Sequence, residues 1–320
     1  MTPPEFWKPG RTPPWPLALM SRVTALVTAF RVARPGWTAD VPVICCGNAT
    51  VGGTGKTPLA LDLGQRLLAR GETVAFLSRG HGGSIRTATR LTPANAARSG
   101  DEPQLLMAMA PTYVGPDRAA AARLAINDGA TVLILDDGLQ NPSLHTTVSF
   151  LVIDGGAGFG NGHVMPAGPL REPAASAAAR CEAAVLIGDD TTEAAAALPP
   201  GFPILRARLV PNPRDLETLP RRLLAFAGIG RPAKFFQTLA ESGHAPVHSI
   251  SFPDHHPYAE PDLQRLRSEA RRLDATLITT EKDFVRLPKT VRTDIRTLRV
   301  ALAWDDAGGI ESLLAQALGR

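Results

Sequence analysis

The amino-acid sequence predicts an α/β protein built on a mostly parallel sheet with helices on both faces. Short apolar runs alternate with helical segments from residue 41 to residue 187, as in parallel strands joined by crossover helices. Proline is then frequent between residues 198 and 220, and a second, shorter alternation follows. We therefore predict an N-terminal helical region (1–38), a main α/β domain (39–220) and a smaller C-terminal α/β domain (221–320).

Composition agrees with a globular protein and excludes several function classes. Of the 320 residues, 44% are hydrophobic, and the net charge is +4 without a long basic run. This charge pattern argues against a nucleic-acid partner. The three cysteines show neither a disulfide framework nor zinc spacing, and they predict a reducing, cytoplasmic compartment.

Residues 17–34 have the pattern of an apolar helix with basic neighbours. The nearby cations are Lys8, Arg11, Arg22, Arg31 and Arg34. The segment is shorter than the roughly 20 apolar residues that span a bilayer, and no secretory signal precedes it. It fits an anionic membrane surface and ordinary packing against the protein about equally well.

A phosphate-binding loop is predicted between the first strand, residues 41–46, and the helix that begins near Lys56. Its glycines permit unusual backbone angles and close approach of a phosphate to backbone N–H groups. Lys56 is expected to reach the β- and γ-phosphates, and the Thr57 hydroxyl to ligate Mg²⁺. Thr50 stands where the strict motif has glycine. The residues predicted to contact the nucleotide are Thr50, Val51, Gly52, Gly53, Thr54, Gly55, Lys56 and Thr57.

Two further stretches carry charged residues with candidate roles in a phosphate-loop NTPase-like domain. The strand over residues 131–135 ends in Asp136 and Asp137, which are placed to complete the Mg²⁺ shell. Arg171 and Glu172 lie in a proline-bounded loop. That loop is either a surface turn or a means of presenting the planar guanidinium of Arg171 to phosphate.

Two polar motifs have several interpretations when read from the residues alone. Asp101 begins a helix, for which we predict it as the N-cap. Asp254, His255 and His256 follow a strand of the second domain. They suit acid–base chemistry, a metal site or simple turn formation, and metal is the weaker option because no helical His-x-x-x-His spacing is present.

Eight stretches, in order over most of the chain, together resemble the tetraacyldisaccharide 4'-kinase (lipid A 4'-kinase) family of Gram-negative bacteria. They are residues 47–58 (GNATVGGTGKTP), 78–80 (SRG), 100–103 (GDEP), 136–141 (DDGLQN), 166–173 (PAGPLREP), 226–232 (FAGIGRP), 252–256 (FPDHH) and 279–283 (TTEKD). The resemblance implies ATP- and Mg²⁺-dependent phosphorylation of the 4'-hydroxyl of a tetraacyl glucosamine disaccharide 1-phosphate, which gives lipid IVA. It also implies a peripheral enzyme on the cytoplasmic face of the inner membrane, held there partly by its N-terminal helix.

The resemblance assigns roles to residues that match the family motifs. Asp101 and His255 are implied as a dyad that handles the hydroxyl proton, with Asp254 in support and His256 as the less favoured alternative. Arg171 and Glu172 are implied near the phosphates and substrate, beside the catalytic Lys56 and Asp137. The family commonly has Tyr-Gly after Ser-Arg-Gly, where this chain has His81 and Gly82, so the role of His81 stays open.

Two alternative functions make different demands on the sequence. A phosphate-loop GTPase or metal-insertion chaperone would need the guanine signature Asn/Thr-Lys-x-Asp, whereas here Lys282 is directly followed by Asp283. A peripheral membrane binding protein with a relic nucleotide site would turn over no ATP on any glycolipid acceptor.

Overall fold

The structure is a computed structural model that describes residues 4–319 in two compact units. Of the described residues, 4–209 and 302–319 form the larger unit and 210–301 form the smaller unit. The division differs from the predicted one at its C-terminal end, because the last helix belongs to the larger unit. The predicted α/β class is confirmed.

The strands, in chain order, are β1 (Val43–Gly47), β2 (Val74–Ser78), β3 (Thr89–Arg90), β4 (Thr112–Val114), β5 (Val132–Asp136), β6 (Val148–Asp154), β7 (Ala183–Ile187), β8 (Ile204–Pro211), β9 (Leu223–Ala227), β10 (His248–Ser251), β11 (Thr276–Thr280), β12 (Ile295–Leu298) and β13 (Val300–Trp304). The α-helices are α1 (Trp15–Val32), α2 (Lys56–Ala69), α3 (Asp101–Met107), α4 (Arg118–Asn127), α5 (Ala174–Ala178), α6 (Pro213–Glu217), α7 (Pro232–Glu241), α8 (Glu260–Arg272), α9 (Glu281–Phe284) and α10 (Gly308–Ala317). Short 3₁₀ turns cover Glu5–Trp7, Ala96–Arg98, Ala194–Ala197 and Lys289–Asp294.

The larger unit is organised around a nine-stranded sheet with the order β13-β8-β7-β6-β1-β5-β2-β4-β3. From β8 to β4 the strands pair in parallel, and β3 pairs antiparallel with β4. Helix α2 packs on one face through Leu59 and Leu63, while α4 packs on the other through Ala121 and Ala125. Strand β1 lies between β5 and β6, so the loop after β1 opens at a switch point, where α/β sheets bind ligands.

The sequence of residues 297–302 predicts a single strand, but these residues belong to two strands, β12 and β13, in two different sheets. Leu298 in β12 packs into the core of the smaller unit, whereas Leu302 in β13 packs into the core of the larger one. Helix α10 then buries Ile310 and Leu314 against the same core as α2. The apolar face of α10 explains why the chain end returns to the larger unit.

Helix α1 turns its apolar side toward solvent and its small polar side chains toward the protein. Ser21 and Thr28 are buried, whereas Trp15 is 79% exposed and Phe30 is 76% exposed. The other large apolar side chains exposed on α1 are Leu19, Met20, Val23, Leu26 and Val27. In the part of the chain that the structure describes, no helix is both long and apolar enough to span a membrane.

The smaller unit contains a four-stranded parallel sheet with the order β10-β9-β11-β12. Helix α8 covers one face through Leu263 and Leu266, and α7 covers the other through Phe235 and Leu239. Because the strands are parallel, the loops that follow β9, β10 and β11 emerge at one edge of this sheet. The Asp254–His255–His256 motif lies at that edge.

Candidate active site

The loop between β1 and α2 has the backbone of an anion-binding turn. Gly52 and Gly55 have φ angles of +106° and +96°, and Gly55 is the N-cap of α2. A Cβ atom on Gly52 or Gly53 would meet nothing within 4 Å, so the space above these two residues is open. The backbone N–H groups at the start of α2 and the positive end of its dipole favour an anion there.

Thr50, the departure from the strict motif, is buried and forms an isolated antiparallel bridge with Leu170. Next to it, the Val51 N–H donates to the Pro169 carbonyl oxygen at 2.8 Å, and the Arg171 N–H donates to the Ala49 carbonyl oxygen at 2.6 Å. The proline-bounded loop therefore braces the phosphate loop through its backbone. Extended pairing of this kind suits a β-branched residue at position 50.

Asp136 is a buried carboxylate directly beside the start of α2. The Thr57 hydroxyl donates to Asp136 Oδ2 at 3.0 Å, while Asp136 Oδ1 is buried without a hydrogen-bond partner among residues 4–319. Burial raises the pKa of Asp136 from 3.8 to about 7, although Lys56 opposes the shift, and Asp137 and Glu102 add to it. An incompletely paired buried carboxylate of this kind is well suited to receive a cation.

Asp137 has the opposite electrostatic setting although it is the next residue. Burial acts to raise its pKa, but Lys56 and Arg171 outweigh burial and lower the pKa below its usual value. Arg171 Nη1 donates to Asp137 Oδ1 at 2.8 Å, and Lys56 Nζ lies 3.8 Å from the same oxygen. The structure thus brings together four of the predicted residues, Lys56, Asp136, Asp137 and Arg171, at the end of β5.

Glu172 is placed as a support for this loop. Its buried carboxylate accepts hydrogen bonds from Gln140 Nε2 at 2.8 Å and from Arg180 Nη2 at 2.7 Å. Gln140 Nε2 also donates to the Asn48 carbonyl oxygen at 2.8 Å, just before the phosphate loop. The contact between Glu172 and a nucleotide stays a prediction.

Asp101 is the first residue of α3, so its predicted role as N-cap is wrong by one position. Gly100 is the cap, with a φ angle of +88°. A Cβ atom on Gly100 would lie 2.1 Å from the His81 carbonyl oxygen, so only glycine fits there. The close approach places the loop over residues 79–83 against the start of α3.

Arg118 is a buried residue near Asp137 that was not predicted from the sequence. Its side chain is almost fully buried, Nη1 donates to the Gly115 carbonyl oxygen, and Nε has no hydrogen-bond partner within the described residues. Burial lowers its pKa to about 10, while the negative charge of Asp137 acts to raise it. A cation in the first turn of a helix interacts unfavourably with the helix dipole. The position of Arg118 at the start of α4 was therefore the sequence feature that could have marked it as unusual.

The two histidines of the smaller unit have different surroundings. His255 has a φ angle of +58°, an exposed ring, and its Nε2 lies 3.9 Å from Asp254 Oδ2. His256 Nε2 instead lies 2.9 Å from Asp262 Oδ2, and its ring stacks on Phe252 with centroids 4.7 Å apart. His256 is therefore held within the fold, whereas His255 is presented at its surface. Between residues 4 and 319, no group of three His, Cys, Asp or Glu side chains is arranged to hold a metal ion.

The raised pKa of Asp136 predicts that its charge destabilises the ligand-free protein. A carboxyl group whose folded pKa exceeds its unfolded pKa adds stability below about pH 4, and that stability is lost as the pH rises through about 7. We expect Asp136→Asn to stabilise the protein at pH 8 by on the order of 1 to 4 kcal/mol and to change little at pH 4. Urea unfolding at both pH values measures this. The exposed Asp40→Asn is the control, and a less stable Asp136→Asn at pH 8 would contradict the prediction.

The chain is similar over nearly its whole length to proteins of one family. The sequence model of the family described as tetraacyldisaccharide-1-P 4'-kinase matches residues 14–319. The chain is similar to the tetraacyldisaccharide 4'-kinase of Gluconobacter oxydans (strain 621H), with 50% identity over 316 residues, covering 98% of this chain and 97% of the relative. It is equally similar to the enzyme of that name from Gluconacetobacter diazotrophicus, with 50% identity over 316 residues and coverage of 97% and 96%.

A solved structure supports the fold. LpxK from Aquifex aeolicus, described as an "apo" form in complex with ATP, superposes with a TM-score of 0.74 and 23% sequence identity. The match covers 94% of this chain and 98% of that one. The match of the family model to residues 14–319 and the 50% identity to the Gluconobacter oxydans enzyme mean that the chain belongs to the tetraacyldisaccharide 4'-kinase family.

Proposed function

We propose that this chain transfers the γ-phosphoryl group of ATP to the 4'-hydroxyl of a tetraacyldisaccharide 1-phosphate, giving lipid IVA. The observation that carries the proposal is the phosphate loop with Lys56 beside the Asp136–Asp137 pair, in a chain half identical to kinases of that name. The loop by itself indicates only a nucleoside triphosphate. The acceptor follows from the family.

Positive charge and backbone N–H groups supply the donor half of the site. Lys56 and Arg171 both lie beside Asp137, and the open space above Gly52 and Gly53 leaves room for phosphate oxygens. These groups are already held in place by the fold and would stabilise the negative charge on the transferred phosphoryl group. Such electrostatic stabilisation is the largest contribution to catalysis in phosphoryl transfer. Arg118 adds a buried guanidinium near Asp137.

The residues at the end of β5 fit a magnesium ion. Mg²⁺ prefers oxygen ligands and is usually held by one or two carboxylates together with waters and substrate phosphates. Asp136 Oδ1 lacks a hydrogen-bond partner in residues 4–319, and the Thr57 hydroxyl lies against the same carboxyl group. We propose that Thr57, Asp136 and Asp137 hold Mg²⁺, which when bound neutralises phosphate charge.

For the proton of the acceptor hydroxyl we propose Asp101 and His255. His255 is preferred to His256 because its ring is exposed and lies near Asp254, whereas His256 is engaged with Asp262 and Phe252. An imidazole suits the task because its ordinary pKa lies near neutral pH. The assignment of Asp101 rests on the family motif that it occupies.

We propose further that α1 holds the enzyme at the cytoplasmic face of the inner membrane as a peripheral protein. Its outer face carries apolar side chains that water does not favour, and Arg22 and Arg31 on the same helix suit anionic head groups. A substrate with four acyl chains is itself a membrane lipid. The helix would therefore bring the site to the surface that holds the acceptor.

The membrane proposal predicts the effect of charge on the outer face of α1. We expect Val23→Asp combined with Phe30→Asp to weaken binding to anionic phospholipid vesicles at least about tenfold, because burying each side chain in lipid is worth about 1.5–3 kcal/mol. ATP binding is expected to be unchanged. Vesicle sedimentation measures the first quantity and calorimetry the second. Val247→Asp, at an exposed valine of the smaller unit, is the matched control, and unchanged vesicle binding in the double variant would refute the proposal.

The activity itself is tested by incubating the enzyme with ATP and the tetraacylated disaccharide 1-phosphate and mapping the position of the new phosphate. Transfer to the 4' position is expected, and its absence would overturn the proposed function. Replacing ATP with GTP in the same assay separates a kinase from a GTPase. Nucleotide hydrolysis that is independent of the glycolipid would favour the GTPase or metal-insertion chaperone, and membrane binding without any turnover would favour the binding protein with a relic nucleotide site.

A further inference from the structure

Asp283 is a fully buried carboxylate in the smaller unit that the proposed chemistry does not use. Its Oδ1 accepts hydrogen bonds from the Gly228 N–H at 2.8 Å, the Tyr258 hydroxyl at 2.7 Å and Arg286 Nη1 at 3.0 Å. Its Oδ2 accepts one from the Thr280 hydroxyl at 2.6 Å. Gly228 follows β9, Tyr258 lies in the loop after β10 and Thr280 ends β11, so one carboxylate ties together the ends of three strands.

Stability alone does not explain a buried charge with this many partners. Taking a carboxylate out of water is costly, and a buried ion pair is often no more stabilising than apolar residues of the same volume. A buried carboxylate with both oxygens hydrogen-bonded instead fixes one arrangement of the groups that it joins.

The network leads directly to the backbone of His255. The Gly228 carbonyl oxygen accepts a hydrogen bond from the His255 N–H at 3.0 Å and another from Arg286 Nη1 at 2.9 Å. Gly228 thus connects Asp283, through its N–H, to His255, through its carbonyl group. Tyr258, three residues after His255, is fixed to the same carboxylate, so the turn is held on both sides.

The turn needs such support. His255 has a φ angle of +58°, in the left-handed region that side-chain-bearing residues adopt only at a cost of about 1–2 kcal/mol. The packing is also close, because a Cβ atom on Gly228 would lie 3.0 Å from the Pro253 carbonyl oxygen and 3.2 Å from Asp283 Oδ1. A shift of Gly228 is therefore passed to the residues around His255.

We propose that Asp283 is a positioning residue for the kinase reaction, fixing the His255 backbone through Gly228 and Tyr258. The inference rests on the proposed function and on the role proposed there for His255. Asp283 has no solvent-accessible surface, so it acts through His255 and not on the substrate. Asp283 is the last residue of the Thr-Glu-Lys-Asp motif at residues 280–283, so the proposal gives this motif a role in the reaction.

The test compares Asp283→Asn in two backgrounds, the full-length wild type and His255→Ala, in the 4'-phosphorylation assay. In the wild type we expect kcat to fall about 10- to 100-fold with the KM for ATP nearly unchanged, because a misplaced catalytic group costs that much. In His255→Ala we expect the same substitution to have no further effect, since residues that act as one unit are not additive.

Two more variants separate positioning from general loss of stability. Asp215→Asn weakens another carboxylate–arginine pair of the same unit, with Arg299, that has no hydrogen bond to Gly228. It is expected to lower the melting temperature and to leave kcat unchanged. Tyr258→Phe removes one hydrogen bond to Asp283. It is expected to lower kcat severalfold when His255 is present and to have no effect in His255→Ala. If Asp283→Asn does not fold, this variant tests the positioning role in its place.

Each outcome decides the inference. The positioning role is overturned if Asp283→Asn lowers kcat by the same factor in His255→Ala as in the wild type. It is also overturned if folded Asp283→Asn has an unchanged kcat. In both cases the proposed function stands. A wild type without 4'-transfer, or a His255→Ala variant with wild-type turnover, overturns the proposed function or the role of His255, and the positioning role with it. These last failures are seen without any substitution at Asp283.

Discussion

Replacing Lys56 with alanine is expected to lower kcat by about 10²- to 10³-fold, the loss typical of removing one fixed electrostatic contact to a transition state. The side chain is largely buried, and Nζ lies 3.8 Å from Asp137 Oδ1. Lysine is rare in this chain, and no other lysine is placed in the loop. Without Lys56, the phosphates would face the carboxylates of Asp136 and Asp137. Arg171, which is bonded to Asp137, would then be the nearest cation.

A second consequence of the same substitution follows from the coupling of charges. Lys56 opposes the raised pKa of Asp136, which is about 7 in the intact site. Without Lys56 that pKa rises further, so more of Asp136 is protonated at neutral pH and fewer molecules can bind a cation. We therefore expect the residual activity of Lys56→Ala to increase more steeply between pH 7 and pH 9 than that of the wild type.

Turnover at saturating ATP and glycolipid, measured across this pH range, checks both expectations. Lys289→Ala is the control, because Lys289 is an exposed lysine of the smaller unit. A Lys56→Ala variant that retained turnover within about threefold of the wild type would exclude the electrostatic role given to this residue.

The phosphate-loop region was predictable because local and global signals agree there. The apolar run before Gly47, the glycines and the Lys56–Thr57 pair each favour the same strand–loop–helix unit, and β1 and α2 lie where they were predicted. Asp136 was also predictable, since a polar residue that ends a buried strand must lie at the edge of the sheet. The strand predicted over residues 41–46 corresponds to β1 (Val43–Gly47), and the helix predicted to begin near Lys56 corresponds to α2 (Lys56–Ala69).

Other features depend on tertiary contacts that a local pattern does not contain. Residues 297–302 form one continuous β-like run, and only packing decides that Leu298 and Leu302 enter different cores. The periodicity of residues 17–34 predicts a helix but does not say which side faces the protein, and the buried side proved to be that of Ser21 and Thr28. Arg118 was missed because its burial depends on how α4 meets the sheet.

The two adjacent histidines are expected to respond in opposite ways to substitution. Removing the imidazole of His255 is expected to lower kcat by about 10²- to 10⁴-fold, as for other general bases, with little change in stability because the ring is exposed. Removing that of His256 is expected to destabilise the fold by about 1–3 kcal/mol, because it loses a hydrogen bond to a carboxylate and a stacked ring, while kcat is mostly retained.

The choice of substitution matters at position 255, where the backbone is left-handed. Asparagine tolerates that conformation better than alanine, so His255→Asn removes the imidazole with the least strain on the turn. His256→Ala and His256→Asn serve as matched variants one residue away. Turnover at saturating substrates and thermal unfolding midpoints separate the two effects.

The reverse pattern, with activity lost at His256 and retained at His255, would assign the base to a ring that the fold already uses. That ring would have to release Asp262, whose carboxylate also accepts the Ala259 N–H at 3.0 Å at the start of α8. A base at His256 would therefore couple each catalytic cycle to the start of a helix. The ring of His255 is instead exposed, and its Nε2 lies 3.9 Å from Asp254 Oδ2, which is the setting that we expect of a base that exchanges a proton with the acceptor.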